Sequence, residues 1–260
     1  MQINNFRTFQ YCHHHEFHQP SHTHANNGSN VEVKKSGTRE IKIVRRVLDV
    51  NEKMAGQNRE LFKEKGVFVL NIMSSPGSGK TTLLQKTLDE IMPEIKCAVI
   101  VGDICTTNDA DRLAKTGAPV VQINTDEFGG DCHLAAHVIE KSAKSLHLEE
   151  VDLLIVENIG NLVCPAEFDI GEDARVVVLS VTEGEDKPVK YPLMFRESDA
   201  ALLNKTDLLP YLDYDIKLAN KYIHQVHPEI PVFELSAKTK EGLAPWIDWI
   251  KEMMKRKKSE

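Results

Sequence analysis

The segment Ser74-Ser-Pro-Gly-Ser-Gly-Lys-Thr81 has residue types and a spacing that bind a phosphate chain. Its end matches the phosphate-loop pattern G-x-x-x-x-G-K-[ST], and it lies between an apolar run and a helical pattern, as that motif requires. We expect the Lys80 ammonium on the β- and γ-phosphates and the Thr81 hydroxyl on Mg²⁺. The residues expected to bind nucleotide phosphates are Gly77, Ser78, Gly79, Lys80, Thr81 and Thr82. Because the first position is Ser74 rather than glycine, a turn that only begins a helix is the alternative.

A second motif, Asn204-Lys-Thr-Asp207, follows an apolar run and predicts selection of guanine. A carboxylate at Asp207 accepts hydrogen bonds from the guanine N1–H and exocyclic amine, and adenine offers no such pair of donors. The triplet Ser236-Ala-Lys238 follows the next run and could supply a backbone N–H to the guanine oxygen. The residues expected at the base are Asn204, Lys205, Asp207, Ser236, Ala237 and Lys238. Together the two motifs predict GTP as the substrate.

Two carboxylates, Asp103 and Glu157, stand at the ends of apolar runs between these motifs. Such groups beside a phosphate loop hold Mg²⁺ or orient the attacking water. With Lys80 they are the candidate catalytic residues, and a helix cap or a solvated turn is the alternative for each carboxylate.

Cys132, His133 and Cys164 form a candidate metal site. Two thiolates and an imidazole suit Ni²⁺, Zn²⁺ or copper. If Asp131 caps a following helix, Cys132 lies at its positive end, which favours the thiolate. Three ligands leave a site incomplete, so a metal-linked homodimer is expected. His137 is another possible ligand, and a surface histidine is the favoured alternative for it. From the spacing alone, a chance adjacency of cysteine and histidine remains the alternative.

A histidine-rich tail precedes these motifs. Six of the 11 histidines lie in residues 1–37, where the composition predicts no stable fold. They are His13, His14, His15, His18, His22 and His24. Imidazoles on a flexible tail could store several Ni²⁺, Cu²⁺ or Zn²⁺ ions, with Cys12 as a further ligand. The rival interpretation is an inert tail or an expression tag, which the interrupted spacing disfavours.

The elements that must position these residues alternate between apolar runs and helical patterns. The expected strands are Val67–Met73, Ala98–Val101, Val120–Ile123, Val151–Val156, Val176–Val181, Ala200–Leu203 and Pro231–Leu235. The expected helices are Thr81–Ile91, Leu134–Leu146, Asp213–Gln225 and Leu243–Lys255, with another over 38–65. This alternation predicts an α/β fold with a doubly wound, mostly parallel sheet, as in P-loop NTPases. We expect a disordered tail over 1–37, a helical region over 38–65 and a GTPase domain over 66–260.

Composition narrows the class of protein. The net charge of -7 disfavours nucleic acid and anionic membranes as partners. No apolar run approaches the roughly 20 residues that cross a bilayer, and no secretory signal is visible. The five scattered cysteines predict reduced thiols and a cytoplasmic location. Of these, Cys97 is expected to pack within a strand, and Cys105 has no assigned role.

With these motifs in view, the sequence resembles the HypB family, the nickel-incorporation GTPases of [NiFe]-hydrogenase maturation. The resemblance rests on Leu70–Thr82, Gly102–Ala110, Cys132-His-Leu134, Glu157–Pro165 and Glu183–Pro188. It implies a metal site of Cys132, His133 and Cys164 at a GTP-favoured dimer interface. It also implies a HypA-type nickel metallochaperone and a hydrogenase large-subunit precursor as partners, with Ile41–Phe62 as a partner contact. The Cys-rich nickel motif C-x-x-C-G-C of some members is missing, so its nickel site is not expected here.

Three rival functions are distinguishable by motif. A urease-type nickel-insertion GTPase uses Cys-Pro-His, whereas Cys164-Pro165 is followed here by Ala166. A nickel or zinc storage protein with a regulatory or vestigial GTPase domain is disfavoured by Lys80 and Asp207. A protein-targeting GTPase would need a signal-binding or membrane-associated domain, and none is visible.

Overall fold

The computed structural model describes residues 37–103, 108–124 and 133–259, with side chains from residue 47 onward. The six tail histidines, Cys12, Cys105, Asp131 and Cys132 lie outside these ranges. No helix in the described ranges is long and apolar enough to cross a membrane.

Within the described residues, seven parallel strands form one sheet in the order β3-β2-β4-β1-β5-β6-β7. The strands are β1 (Phe68–Ser74), β2 (Cys97–Asp103), β3 (Val120–Asn124), β4 (Leu153–Gly160), β5 (Ala174–Ser180), β6 (Ala200–Asn204) and β7 (Val232–Glu234). Each expected apolar run overlaps one of them, and the predicted α/β fold class is confirmed.

Helices cover both faces of this sheet. They are α1 (Gly37–Lys65), α2 (Lys80–Ile91), α3 (Asn108–Ala114), α4 (Ala136–Ala143), α5 (Cys164–Glu167), α6 (Lys187–Lys190), α7 (Pro192–Arg196), α8 (Ile216–Val226) and α9 (Leu243–Ser259). Among the described residues, 3-10 turns span Leu148–Glu150 and Thr206–Tyr211. The α1 helix ends before Gly66, whose φ of 68° terminates it.

Successive residues of β1 point into different layers of the core. Phe68 and Leu70 pack with apolar residues of α2 and α9, whereas Val69 packs with residues of α1 and α4. A strand buried on both faces gives a continuous apolar run, which is why the runs were recognisable in the sequence. The Trp246 side chain of α9 is fully buried and donates to the Thr87 hydroxyl of α2 at 3.0 Å.

Several helix boundaries differ from the sequence expectation, and the starts of α8 and α4 are two of them. The α8 helix begins at Ile216 rather than Asp213, because the Asp215 carboxylate accepts from the Lys217 and Leu218 N–H groups and caps it there. The α4 helix begins at Ala136 rather than Leu134. Leu134 is buried under β2, so close that a β-carbon on Gly102 would lie 2.9 Å from its Cδ1 atom.

Candidate functional site

The candidate phosphate loop joins β1 to α2 at the carboxyl edge of the sheet, where ligands bind in folds of this type. Gly77 and Gly79 have φ values of 74° and 92°, a left-handed conformation that favours glycine. A β-carbon on Gly79 would also lie 2.7 Å from the Asn204 Nδ2 atom. The loop therefore needs glycine there both for its backbone conformation and for the close approach of the Asn204 side chain.

Serine at the first position of the motif is built into the loop. The Ser74 hydroxyl accepts from the Lys80 ammonium at 2.9 Å and from the Ser78 hydroxyl at 2.7 Å. It donates in turn to the Ser75 carbonyl at 2.6 Å. Burial lowers the pKa of Lys80, opposed by the charge of Glu157. A hydroxyl that holds this lysine explains why serine replaces glycine without distorting the loop.

Glu157 lies on β4, between Ile72 of β1 and Val101 of β2. Its Oε1 atom accepts from the Thr81 hydroxyl at 2.8 Å. Its Oε2 atom is buried and has no hydrogen-bond partner among the described residues. Burial raises the pKa of Glu157 to about 7, opposed by the positive charge of Lys80 and by the Thr81 hydrogen bond.

These oxygens are suited to a magnesium ion. Mg²⁺ binds hard oxygen ligands, and a hydroxyl beside an unpaired buried carboxylate oxygen supplies two of them. The candidate Mg²⁺ residues Thr81 and Glu157 are therefore brought together, and their chemistry fits the cation.

Asp103 ends β2 on the same edge of the sheet, half-buried and directly before residues 104–107. Its negative charge raises the pKa of both Lys80 and Glu157. Asp109 of α3 acts on both groups in the same way, although it was not among the residues predicted from the motifs. The signal was present in the sequence, because Asp109 lies within the family signature Gly102–Ala110.

The candidate guanine loop is tied directly to the phosphate loop. Asn204 donates from Nδ2 to the Ser78 carbonyl at 3.0 Å. Its Oδ1 atom accepts from the Lys205 N–H at 2.8 Å and the Ala237 N–H at 3.0 Å. Lys205 has a φ of 65°, and its ammonium donates to the Gly77 carbonyl at 2.7 Å. The Asn204 amide thus joins the phosphate loop to both loops expected at the base.

Asp207 is oriented by the second of these loops. Its Oδ1 atom accepts from the Ser236 hydroxyl at 2.6 Å, and that hydroxyl accepts from the Thr239 N–H at 3.1 Å. Because a serine proton already occupies one oxygen, the carboxylate is held in a fixed plane. Lys238, the last residue of the triplet, is exposed.

The end of β4 rests on the phosphate loop. A β-carbon on Gly160 would lie 3.0 Å from the Pro76 Cα atom, so the two backbones are in close contact. The helix α5 begins shortly afterwards at Cys164. The strand that carries Glu157 therefore leads, within one short turn, to a candidate metal ligand.

The candidate metal residues are only partly within the described residues. The His133 ring stacks on Phe168, with centroids 3.5 Å apart and planes 25° apart. The Cys164 sulfur is bonded in a disulfide, so metal binding by Cys164 requires the reduced thiol. Over the described residues, no three histidine, cysteine or acidic side chains gather where they could hold a metal. His137 is exposed on α4.

Cys97 is the cysteine that packs in a strand, as the sequence predicted. It is buried in β2 with a free thiol, and burial raises the pKa of this thiol to about 12. A thiol that stays protonated is a poor metal ligand.

The expected cap of α4 by Asp131 is wrong. The residue before the helix is Ala135, in an extended conformation with no side-chain cap of its own. The Ala136 N–H donates instead to the Asn51 Oδ1 atom of α1 at 2.9 Å. The helix α4 therefore begins at Ala136 and not at Cys132, contrary to the expectation from the sequence.

Comparison with known proteins decides the family. A family model described as the CobW/HypB/UreG nucleotide-binding domain matches residues 68–234. The hydrogenase maturation factor HypB of Escherichia coli K12 is 50% identical over 204 residues, covering 78% of this chain and 69% of the relative. The chain belongs to the HypB family. HypB of Azotobacter chroococcum is 49% identical over 215 residues, covering 83% of this chain and 70% of the relative.

A solved HypB structure has the same fold. The crystal structure of HypB from Helicobacter pylori in complex with nickel superposes with a TM-score of 0.75 at 38% identity, covering 79% of this chain and 95% of that chain. The family resemblance predicted from the motifs is therefore confirmed.

Proposed function

We propose that this HypB-family chain is a GTP-hydrolysing nickel metallochaperone that helps to insert nickel into the [NiFe]-hydrogenase large-subunit precursor. The observation that carries the GTPase part is the hydrogen bonding of Asn204 to Ser78 and of Lys205 to Gly77. These bonds hold the guanine and phosphate motifs side by side, as the two ends of one GTP site would require. The HypB relatives, which are named for hydrogenase maturation, support the rest.

GTP binding would use the two ends of this site differently. The Asp207 carboxylate, held by Ser236, accepts from the guanine N1–H and amine and so rejects adenine. At the other end Lys80 balances charge that develops on the phosphates. Thr81 and Glu157 would hold Mg²⁺, which when bound neutralises phosphate charge. Asp103 and Glu157 are the carboxylates that would orient the attacking water.

Nickel would be the cargo of the protein rather than a resident cofactor. Cys132, His133 and reduced Cys164 would hold Ni²⁺ or Zn²⁺, and a second copy of the chain would complete or bridge the site. The contact of Gly160 with Pro76 supports a link between nucleotide state and Cys164, since both lie on the connection from β4 to α5. The tail histidines would store further nickel ions.

The partners follow from the family. We infer that a HypA-type metallochaperone delivers or receives nickel and that a hydrogenase large-subunit precursor is the recipient. A GTP- or metal-favoured homodimer in the cytoplasm would be the working state.

A turnover assay tests the enzyme. Lys80→Ala should lose roughly 100-fold or more in kcat with GTP because the phosphate charge is no longer balanced. Lys86→Ala is the matched control, since Lys86 lies on the same helix but pairs with Asp89 away from the loop. If the wild type does not hydrolyse GTP faster than ATP, the proposed reaction is wrong. That result would favour the alternative function as a metal-storage protein.

A nickel titration tests the cargo. The reduced full-length chain, loaded with GTP or GDP, is titrated while the thiolate-to-nickel charge-transfer absorbance is followed. This band reports sulfur ligands and does not respond to the tail histidines. Loss of the signal in Cys164→Ala with a nucleotide-dependent affinity in the wild type supports the proposal. Equal affinity in both nucleotide states contradicts nucleotide control.

A deletion strain distinguishes the recipients. Restoration of hydrogenase activity by the wild-type chain, but not by Cys164→Ala, supports hydrogenase maturation. Restoration of urease activity alone would favour the urease-type alternative.

A further inference from the structure

The helix α1 is bound to the rest of the chain through two buried asparagines, Asn51 and Asn58. Their exposed fractions are 8% and 0%. They lie two helical turns apart on one face of the helix. Two polar side chains buried on the face that packs against the domain must find partners there, because an unpaired buried amide is costly.

Both asparagines bind the same two segments. Asn51 accepts from the Ala136 N–H at 2.9 Å and donates to the Asp169 carbonyl at 2.7 Å. Asn58 donates to the Ala136 carbonyl at 2.8 Å and to the Ile170 carbonyl at 2.9 Å. Each amide therefore bridges the start of α4 and the loop that follows α5.

The surrounding packing fixes this arrangement. A β-carbon on Gly171 would lie 2.6 Å from the Asn58 Cβ atom and 2.7 Å from the Ala55 carbonyl oxygen, so the loop backbone touches the helix. Arg59 of α1 pairs with the Asp169 carboxylate at 2.6 Å on the outer side of the contact. The loop after α5 is thus held against α1 by side-chain hydrogen bonds, by close backbone packing and by an ion pair.

The two bridged segments are those that carry candidate metal ligands. His133 lies shortly before Ala136, the first residue of α4, and Cys164 begins the helix that leads into Asp169. The segments also touch directly, because the His133 ring stacks on Phe168. The relative position of the imidazole and the thiol therefore depends on how the two segments are held.

We propose that Asn51 and Asn58 are positioning residues for the metal site, setting the separation of the His133 and Cys164 segments from α1. This inference rests on the proposed function, in which those two residues bind nickel. A metal ligand set accepts only a narrow geometry, and loss of groups that orient ligands typically weakens metal affinity roughly 10- to 100-fold. Any partner that shifts α1 would change nickel affinity through the same bonds.

The experiment compares Asn51→Ala and Asn58→Ala in the reduced, GTP-loaded full-length chain. The matched control is Gln57→Ala, which changes an exposed residue of the same helix. Nickel is titrated against the thiolate charge-transfer band, and GTP affinity and melting temperature are measured in parallel. We expect nickel affinity at the thiolate site to fall roughly 10- to 100-fold in the asparagine variants, with GTP affinity unchanged and the control equal to wild type.

Two results would overturn the inference. If the folded variants melt lower but bind nickel within twofold of wild type, the asparagines only anchor the helix. If wild type and control give no thiolate–nickel signal at all, the metal-site proposal is wrong. The inference about Asn51 and Asn58 is then wrong as well, because it depends on that site. Should an alanine variant not fold, Asn51→Asp tests the same point, since it keeps the acceptor for the Ala136 N–H and replaces the donor to the Asp169 carbonyl with a charged acceptor. Wild-type nickel affinity in that variant would also contradict a positioning role for Asn51.

Discussion

Glu157 accepts the Thr81 hydroxyl proton on one oxygen at 2.8 Å and has its other oxygen buried with no partner in the described part of the chain. A carboxylate in this position can bind a cation. Without the cation, its buried environment favours the protonated form. The raised pKa of about 7 expresses that preference. Proton and cation therefore compete for the same carboxylate.

Magnesium dependence should change with pH. Below about pH 7 a proton competes for Glu157, because burial raises its pKa to that value. We expect the Mg²⁺ concentration for half-maximal GTP hydrolysis to rise by up to about tenfold for each pH unit below 7. The same Mg²⁺ requirement at pH 5.5 and pH 8 would contradict this role for Glu157.

The stability of the nucleotide-free, Mg²⁺-free protein should also depend on Glu157. A carboxyl pKa raised from 4.5 to about 7 stabilises the fold below pH 4.5, and this contribution is lost as the pH rises through 7. Each pKa unit is worth about 1.4 kcal/mol, so the loss is on the order of 3 kcal/mol. Glu157→Gln does not titrate. Wild type should therefore lose about 3 kcal/mol relative to this variant between pH 4.5 and pH 8 in denaturant titrations; parallel curves would show that the pKa is not raised.

Base selection should follow Asp207. In Asp207→Asn the side chain presents one donor where guanine needs two acceptors, so GTP affinity should fall by about 100-fold or more. Xanthine carries a carbonyl in place of the guanine amine, so XTP should bind the variant better than GTP does. Asp213→Asn, on an exposed position after the same loop, is the control. Competition with a fluorescent nucleotide measures both, and an unchanged GTP preference would exclude Asp207 from the base site.

Two effects of a side chain at Gly79, the contact with Asn204 and the strain of the backbone conformation, can be measured separately by comparison with Gly117. Gly79 and Gly117 have nearly equal φ values of 92° and 91°, but only at Gly79 would a β-carbon meet a neighbour within 4 Å. Gly117→Ala should cost about 1 kcal/mol for backbone strain alone. Gly79→Ala should cost about 1–3 kcal/mol more and weaken GTP binding, because it pushes on Asn204. Equal losses of stability in urea titrations would mean that the contact with Asn204 is not needed.

The sheet and both nucleotide motifs could be predicted because each depends on residues that are close together in the sequence. Strands buried on both faces give runs such as Val151–Val156, and a phosphate loop needs its glycines and lysine at fixed spacing. The short helices α5, α6 and α7 could not be predicted, because each has a proline in its first turn and is too short to show a helical period. The predicted start of a helix was wrong where a single capping side chain determines it, as Asp215 does for α8.

Contacts between distant residues were also beyond the sequence. The periodicity of α1 included Asn51 and Asn58, but nothing in it says which groups they meet. The cap of α4 joins residues 85 positions apart, so the nearer acidic residue Asp131 was the natural expectation. The effect of the Asp109 charge on the pKa of Lys80 likewise depends on where α3 packs against the sheet, which the sequence does not show.

The cap that Asn51 provides for α4 has a consequence for how the chain matures as it is made. Asn51 leaves the ribosome 85 residues ahead of Ala136, 112 residues separate Asn58 from Ile170, and 126 separate Ser78 from Asn204. At roughly 5–20 residues per second, Asn51 is synthesised several seconds or more before Ala136. The segments bearing His133 and Cys164 are thus complete while the guanine loop is still unsynthesised. The part of the chain that carries the candidate metal residues is therefore synthesised before the loop expected to bind guanine.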